Sequence, residues 1–129
     1  MVFVDRALDA GATLVVIDPR RTQSAERASL LIQPRPGTDA ALALAVAHAL
    51  IEAGDIDAAF IAAHVHGFDA FAESVAEWTP ERAAAVTDVP PEYIRRLAEL
   101  FAISPATICA GFGLQRFVNG GQTMRAMMA

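Results

Sequence analysis

A single cysteine, Cys109, stands in the whole chain, so no internal disulfide and no zinc or iron–sulfur spacing can be drawn. Lysine is missing altogether, which removes any phosphate loop built on one. No apolar run reaches the roughly 18 residues that read as a membrane span. The opening "MVFVDRALDAG" has acids and no basic leader, unlike a secretory signal, so the cytoplasm is only a default expectation. No repeat, low-complexity tract or Gly-x-Ser-x-Gly occurs, and no two carboxylates are placed as an acid and a base, so no catalytic residue is expected. Basic residues are outnumbered ten to fifteen, and the resulting charge of −5 argues against gripping a nucleic-acid backbone.

What is present suits one folded segment of 129 residues, long enough to bury a core. Hydrophobic residues make up 54% and charged residues 19%, which excludes disorder, and much of the apolar fraction is alanine, which favours helices. Residues 2–10 read as a helix closed by Gly11. "TLVVID" (13–18) and "LLIQ" (30–33) read as strands buried on both faces, with a short helix in "TQSAERA" between them. "TDAALALAVAHALIEAG" is a helix that Thr38 or Asp39 can cap and Gly54 can end. It is apolar nearly all round, His48 being a core histidine. Helices follow at about 57–64, 68–77, 80–86 and 91–102, the last with Ile94, Leu97, Leu100 and Phe101 on one face. "ATICAGF" (106–112) reads as a third strand holding Cys109 in an unreactive setting, "GLQRFVNGG" as a loop, and "QTMRAMMA" as a helix. This order predicts an α/β fold, a Rossmann-like parallel sheet flanked by helices. The sheet is expected to be incomplete, because the chain starts at a helix and stops inside one.

Ligands of open α/β sheets lie beyond the carboxyl ends of the strands, where Asp18 falls. An acid there can accept hydrogen bonds from ribose hydroxyls, and Arg20 and Arg21 can hold phosphate or stack on a base. The same residues can also form a plain solvated turn. Asp39 can cap its helix, or present its carboxylate to the adjacent donors of a guanine edge. "GFGLQR" (111–116) is a partial glycine fingerprint with Arg116 in place of the third glycine. His64 and His66 have no Cys, Asp or Glu at ligand spacing, so no metal is expected there. "TPERAAAVTDVPPEYIRRLAELF" has the outline of a helix-turn-helix, the alternative reading being a small DNA-binding regulator. Arg95 and Arg96 are too few for a phosphate-binding face, and helical packing is the expectation. A generic nucleotide-binding module is the other alternative.

Four segments in series, "VVIDPRRTQSAERAS", "RPGTDAALALAVAHALIEAG", "TPERAAAVTDVPPEYIRRLAELFA" and "GFGLQRFVNGGQTMRA", resemble the molybdopterin oxidoreductases that carry a bis-(molybdopterin guanine dinucleotide) molybdenum cofactor. The resemblance covers nearly the whole chain. It implies that Asp18, Pro19, Arg20, Arg21 and Thr22 bind the guanosine part of one dinucleotide, that Asp39 with Gly37 and Thr38 reads the guanine, and that Phe112, Gly113 and Arg116 approach the pterin end. Many members carry a histidine where this chain has Phe117. The resemblance further implies one interior segment (1–129) of a longer molybdenum-dependent oxidoreductase, with the remaining domains as its partners. The segment alone would be inert, free of cofactor and prone to self-association.

Overall fold

The computed structural model describes residues 2–103 and 105–129. These form two compact units, the first ending at Pro34 and the second running from Arg35.

In the first unit, helix α1 (Val2–Asp9) ends where Gly11, at φ +91°, turns the chain. Strands β1 (Val15–Ile17) and β2 (Leu30–Ile32) pair in parallel, with Val15 opposite Leu30 and Ile17 opposite Ile32. The Asp18 N–H extends the ladder to the Ile32 carbonyl at 3.0 Å, and Ile32 is fully buried. The short helix expected in this connection is a single 3-10 turn at Ala25–Arg27. So few residues between a proline turn and a strand give too little length to offset helix nucleation. Arg27 fastens this turn to α1 through an ion pair with Asp5.

The second unit is built on α2 (Asp39–Ala53), which packs against four of the later helices. Its buried face is Ala41, Leu42, Ala45 and Val46, the two alanines being small enough to let neighbouring helices approach closely. Gly54 at φ +75° ends it. Helix α3 (Ala58–His64) starts where Asp57 accepts from the Phe60 N–H at 2.9 Å, and α4 (Phe68–Val75) follows Gly67. Helix α5 (Pro80–Thr87) begins with Thr79 accepting from the Arg82 N–H at 3.2 Å and with proline in its first turn, where no N–H is needed. Helix α6 (Pro91–Ala102) buries Ile94, Leu97 and Ala98, with Leu100 and Phe101 half-buried on the same side. In the α5–α6 turn the buried Thr87 hydroxyl donates to the Ala83 carbonyl at 2.8 Å and accepts from the Val89 N–H at 3.1 Å. A 3-10 turn (Leu114–Arg116) leads to α7 (Gly120–Met128), which packs on α2.

The expected third strand is not formed. Residues 106–111 adopt no regular structure and are exposed, Ile108 to 47%. A strand exists through its ladder, and no partner strand pairs with this segment among the described residues. Cys109 is correspondingly exposed, not enclosed in an apolar strand. The described residues are therefore mostly helical, with a two-stranded parallel sheet: an α/β fold.

Candidate functional site

The turn after β1 is held from two sides. Asp18 Oδ1 accepts from the Arg20 N–H at 2.7 Å, so the side chain mimics a backbone turn. The Gln33 amide, just past β2, donates to the Pro19 carbonyl at 3.0 Å. Thr22 is half-buried, and its carbonyl accepts from the Ala25 N–H at 2.9 Å. Arg20 and Arg21 project from this braced turn into solvent. Five of the ten arginines (Arg27, Arg35, Arg82, Arg95 and Arg96) have a carboxylate within ion-pair distance. No ion pair of this kind engages Arg20, Arg21 or Arg116 among the described residues.

In the second unit, the loop before α2 is anchored by Arg35. Its guanidinium grips Asp88 with two hydrogen bonds, of 3.0 and 2.8 Å, and its N–H donates to the Thr87 carbonyl at 2.7 Å. Gly37 then takes φ +84°, a conformation that costs little only without a side chain. Thr38 occupies the capping position without capping: its hydroxyl donates to the Arg35 carbonyl at 2.7 Å. Asp39 is the first helical residue and does not cap either. Its carboxyl is half-buried, and that burial raises its pKa above the ordinary carboxylate value. A hydrogen bond from its own backbone N–H opposes the shift in part. The acid thus sits at a helix start, partly desolvated and with little consumed by the fold.

The glycine-bounded loop lies in the same unit. A Cβ on Gly111 or Gly113 would meet nothing within 4 Å, so backbone is open to approach there, and Phe112 is 79% exposed. Gly120 is the opposite case: a Cβ would stand 2.4 Å from the Gln115 carbonyl oxygen. The structure joins this loop to the start of α2 through Phe117, whose Cδ1 would stand 3.5 Å from a Cβ on Gly37. The sequence left Arg35 unassigned and marked Phe117 only as a departure from the family pattern, without its contact to Gly37. The arginine in "RPGTD" and the αL residue Asp88 carried that signal only in retrospect.

Other candidates have structural roles. Arg95 is paired with Glu81, whose carboxyl that hydrogen bond holds below its usual range, and Arg96 with Glu99 at 2.8 Å. The helix-turn-helix outline is thus a packed α5–α6 pair with its arginines engaged by acids. His48 is mostly buried beside Glu52 at 3.6 Å, and the His64 ring lies 4.9 Å from that of Phe60. No three His, Cys, Asp or Glu side chains gather to hold a metal among the described residues. An open hollow of about 370 Å³ between α3 and α4 presents mainly apolar residues such as Ile61, Val65 and Phe68.

The chain is 35% identical over 98% of its length to "Probable oxidoreductase YoaE" of Bacillus subtilis, of which it covers 19%. It is 34% identical over 91% of its length to formate dehydrogenase H of Escherichia coli, of which it covers 16%. Acetylene hydratase from Pelobacter acetylenicus superposes on 96% of the chain with a TM-score of 0.93 at 34% identity, the match spanning 17% of that structure. The chain therefore spans under a fifth of the relatives it matches. The family model described as molybdopterin oxidoreductase matches residues 1–129, and the chain belongs to that family.

Proposed function

We propose that this chain holds the guanosine diphosphate arm of a molybdopterin guanine dinucleotide within a molybdenum-dependent oxidoreductase. When bound, that cofactor supplies two-electron redox chemistry at its metal, and the protein supplies grip and orientation. The first unit offers the Asp18 carboxylate to ribose hydroxyls and the Arg20 and Arg21 guanidiniums to phosphate or base, with Pro19 and Thr22 shaping the turn. The second offers the Asp39 carboxylate to the guanine edge beside Gly37 and Thr38, and Phe112, Gly113 and Arg116 to the pterin end. The two parallel strands are, in this reading, part of a Rossmann-like sheet.

The observation that carries the reading is that Arg20, Arg21 and Arg116 are exposed and have no carboxylate partner among the described residues, in a chain with an excess of acids. Within the first unit the Asp18 carboxylate, which spends one oxygen on the Arg20 N–H, keeps its other oxygen for a ligand. A thermal-shift titration tests it: GDP at about 100 times its dissociation constant should add about 2.7 kcal/mol of stability, and ADP much less. Replacing both Arg20 and Arg21 with alanine should weaken both nucleotides together, since phosphate is common to them. Equal shifts with GDP and ADP in the unsubstituted chain would reduce the site to a generic phosphate holder.

The chain on its own should also self-associate. Both strands of the sheet are edge strands, and the exposed segment 106–111 pairs with no strand among the described residues. Light scattering should show a mass that grows with concentration, and a constant monomer mass would refute this.

A further inference from the structure

Phe117 is a large aromatic residue for which the fold has only a partial use. The Cγ–Cδ1–Cε1 side of its ring packs over Gly37, with Cδ1 at 3.5 Å and Cε1 at 4.0 Å from where a Cβ would stand. A Cβ at Gly37 would only touch the ring at ordinary van der Waals distance, so glycine is called for here by its φ of +84° and not by the ring. Yet 47% of Phe117 remains exposed. Its neighbours along the chain, Arg116 and Val118, are exposed too, so no cluster on its own segment covers it. Gly37, the residue it rests on, lies two positions before Asp39.

A planar apolar ring held at a fixed place near a carboxylate is what nucleobase recognition requires. The carboxylate reads the edge of the base, and the ring offers area to its face. We infer that Phe117 is a specificity residue of the proposed nucleotide site, stacking on the purine whose edge Asp39 reads. This rests on the guanosine reading above and adds a residue that acts on the base and not on the phosphates. A histidine at this position would present a smaller and more polar ring. Phenylalanine gives up a possible hydrogen bond and gains apolar stacking surface.

The test compares the full chain with Phe117→Tyr and Phe117→Leu by calorimetric titration with GDP and with inorganic pyrophosphate. Leucine keeps apolar bulk over Gly37 and removes the aromatic face; tyrosine keeps the face. GDP should bind the tyrosine variant as it binds the parent, and the leucine variant on the order of tenfold to a hundredfold more weakly. Pyrophosphate should not distinguish the three. In proton NMR the guanine H8 resonance should move upfield on binding to the parent and the tyrosine variant only. Unchanged GDP affinity in the leucine variant would overturn the stacking role while leaving the nucleotide site intact. Loss of GDP and pyrophosphate together would make Phe117 a structural prop and overturn it as well. Failure of GDP to bind the parent chain would remove the guanosine reading and this inference with it.

Discussion

Replacing Asp39 with asparagine should abolish the preference for GDP over ADP and, in the same protein, raise the melting temperature of the unliganded chain. The first effect follows from donor and acceptor counting. Guanine presents two adjacent N–H donors on its edge, and a carboxylate has an acceptor for each, whereas an asparagine amide has one acceptor and one donor group. The variant therefore loses one charge-assisted hydrogen bond, weakens the other and faces a donor with a donor. The combined loss should lower GDP affinity about ten- to a hundredfold. The second effect follows from burial. Desolvation raises the folded-state pKa of Asp39 above its ordinary value of 3.8, so the folded chain holds this proton more tightly than the unfolded chain. Stability is then greatest below 3.8 and falls as pH climbs from there through the raised folded value. Above both, the ionised acid carries a constant penalty. Asparagine removes that penalty, so the variant should melt higher at neutral pH, and the difference should shrink in acid. GDP binding to the parent should weaken as acid protonates Asp39, while binding to the variant should lack this step. Melting curves with and without GDP from about pH 4 to 8 read both effects. A variant that is less stable at neutral pH would mean that Asp39 serves the helix more than a ligand.

That a residue is poorly used by the fold is what the sequence alone could not say of Asp39. Capping and ligand reading both call for an acid at a helix start, and the choice between them depends on one residue of register. The helix begins at Asp39 itself, so the side chain is a position too late to cap, and Thr38 bonds backward to Arg35. Elements with a strong local cause were legible. Helix α6 spans the residues its periodicity predicts, and Gly11 and Gly54 both close helices at positive φ. Strand 106–112 was misread for a physical reason: Ile108 and its neighbours have strand propensity, but propensity does not supply a ladder partner. The same lack exposes Cys109. Phe117 was visible in the sequence only as a departure from the family pattern; its contact is with a residue 80 positions earlier that has no side chain, and no spacing rule connects a ring to a glycine.

The second large effect separates two adjacent glycines. Gly120 and Gly121 are both in the first turn of α7, and helix propensity alone predicts that alanine stabilises either by about 1 kcal/mol. Their surroundings reverse one of the two signs. A methyl on Gly121 meets nothing within 4 Å, so Gly121→Ala should keep the propensity gain and raise the melting temperature. A methyl on Gly120 would stand 2.4 Å from the Gln115 carbonyl oxygen, 2.5 Å from its carbon and 2.6 Å from its Cα. All three are backbone atoms, so no side chain can swing aside. Relief requires opening the turn in which the Gly120 N–H donates to the Phe117 carbonyl at 2.9 Å, or lifting α7 from α2. Overpacking of this kind costs about 1–3 kcal/mol, occasionally more, and must exceed the helix gain for the variant to be destabilised. With backbone on both sides of the clash the upper part of that range applies, and Gly120→Ala should melt several degrees lower. Because the displaced turn carries Arg116 and Phe117, GDP affinity should fall in this variant and stay unchanged in Gly121→Ala. Urea unfolding of the two single variants checks the signs directly. Shifts of the same sign would mean that the 115–120 turn yields freely and that the close approach of Gly120 to Gln115 does not hold these two residues in place.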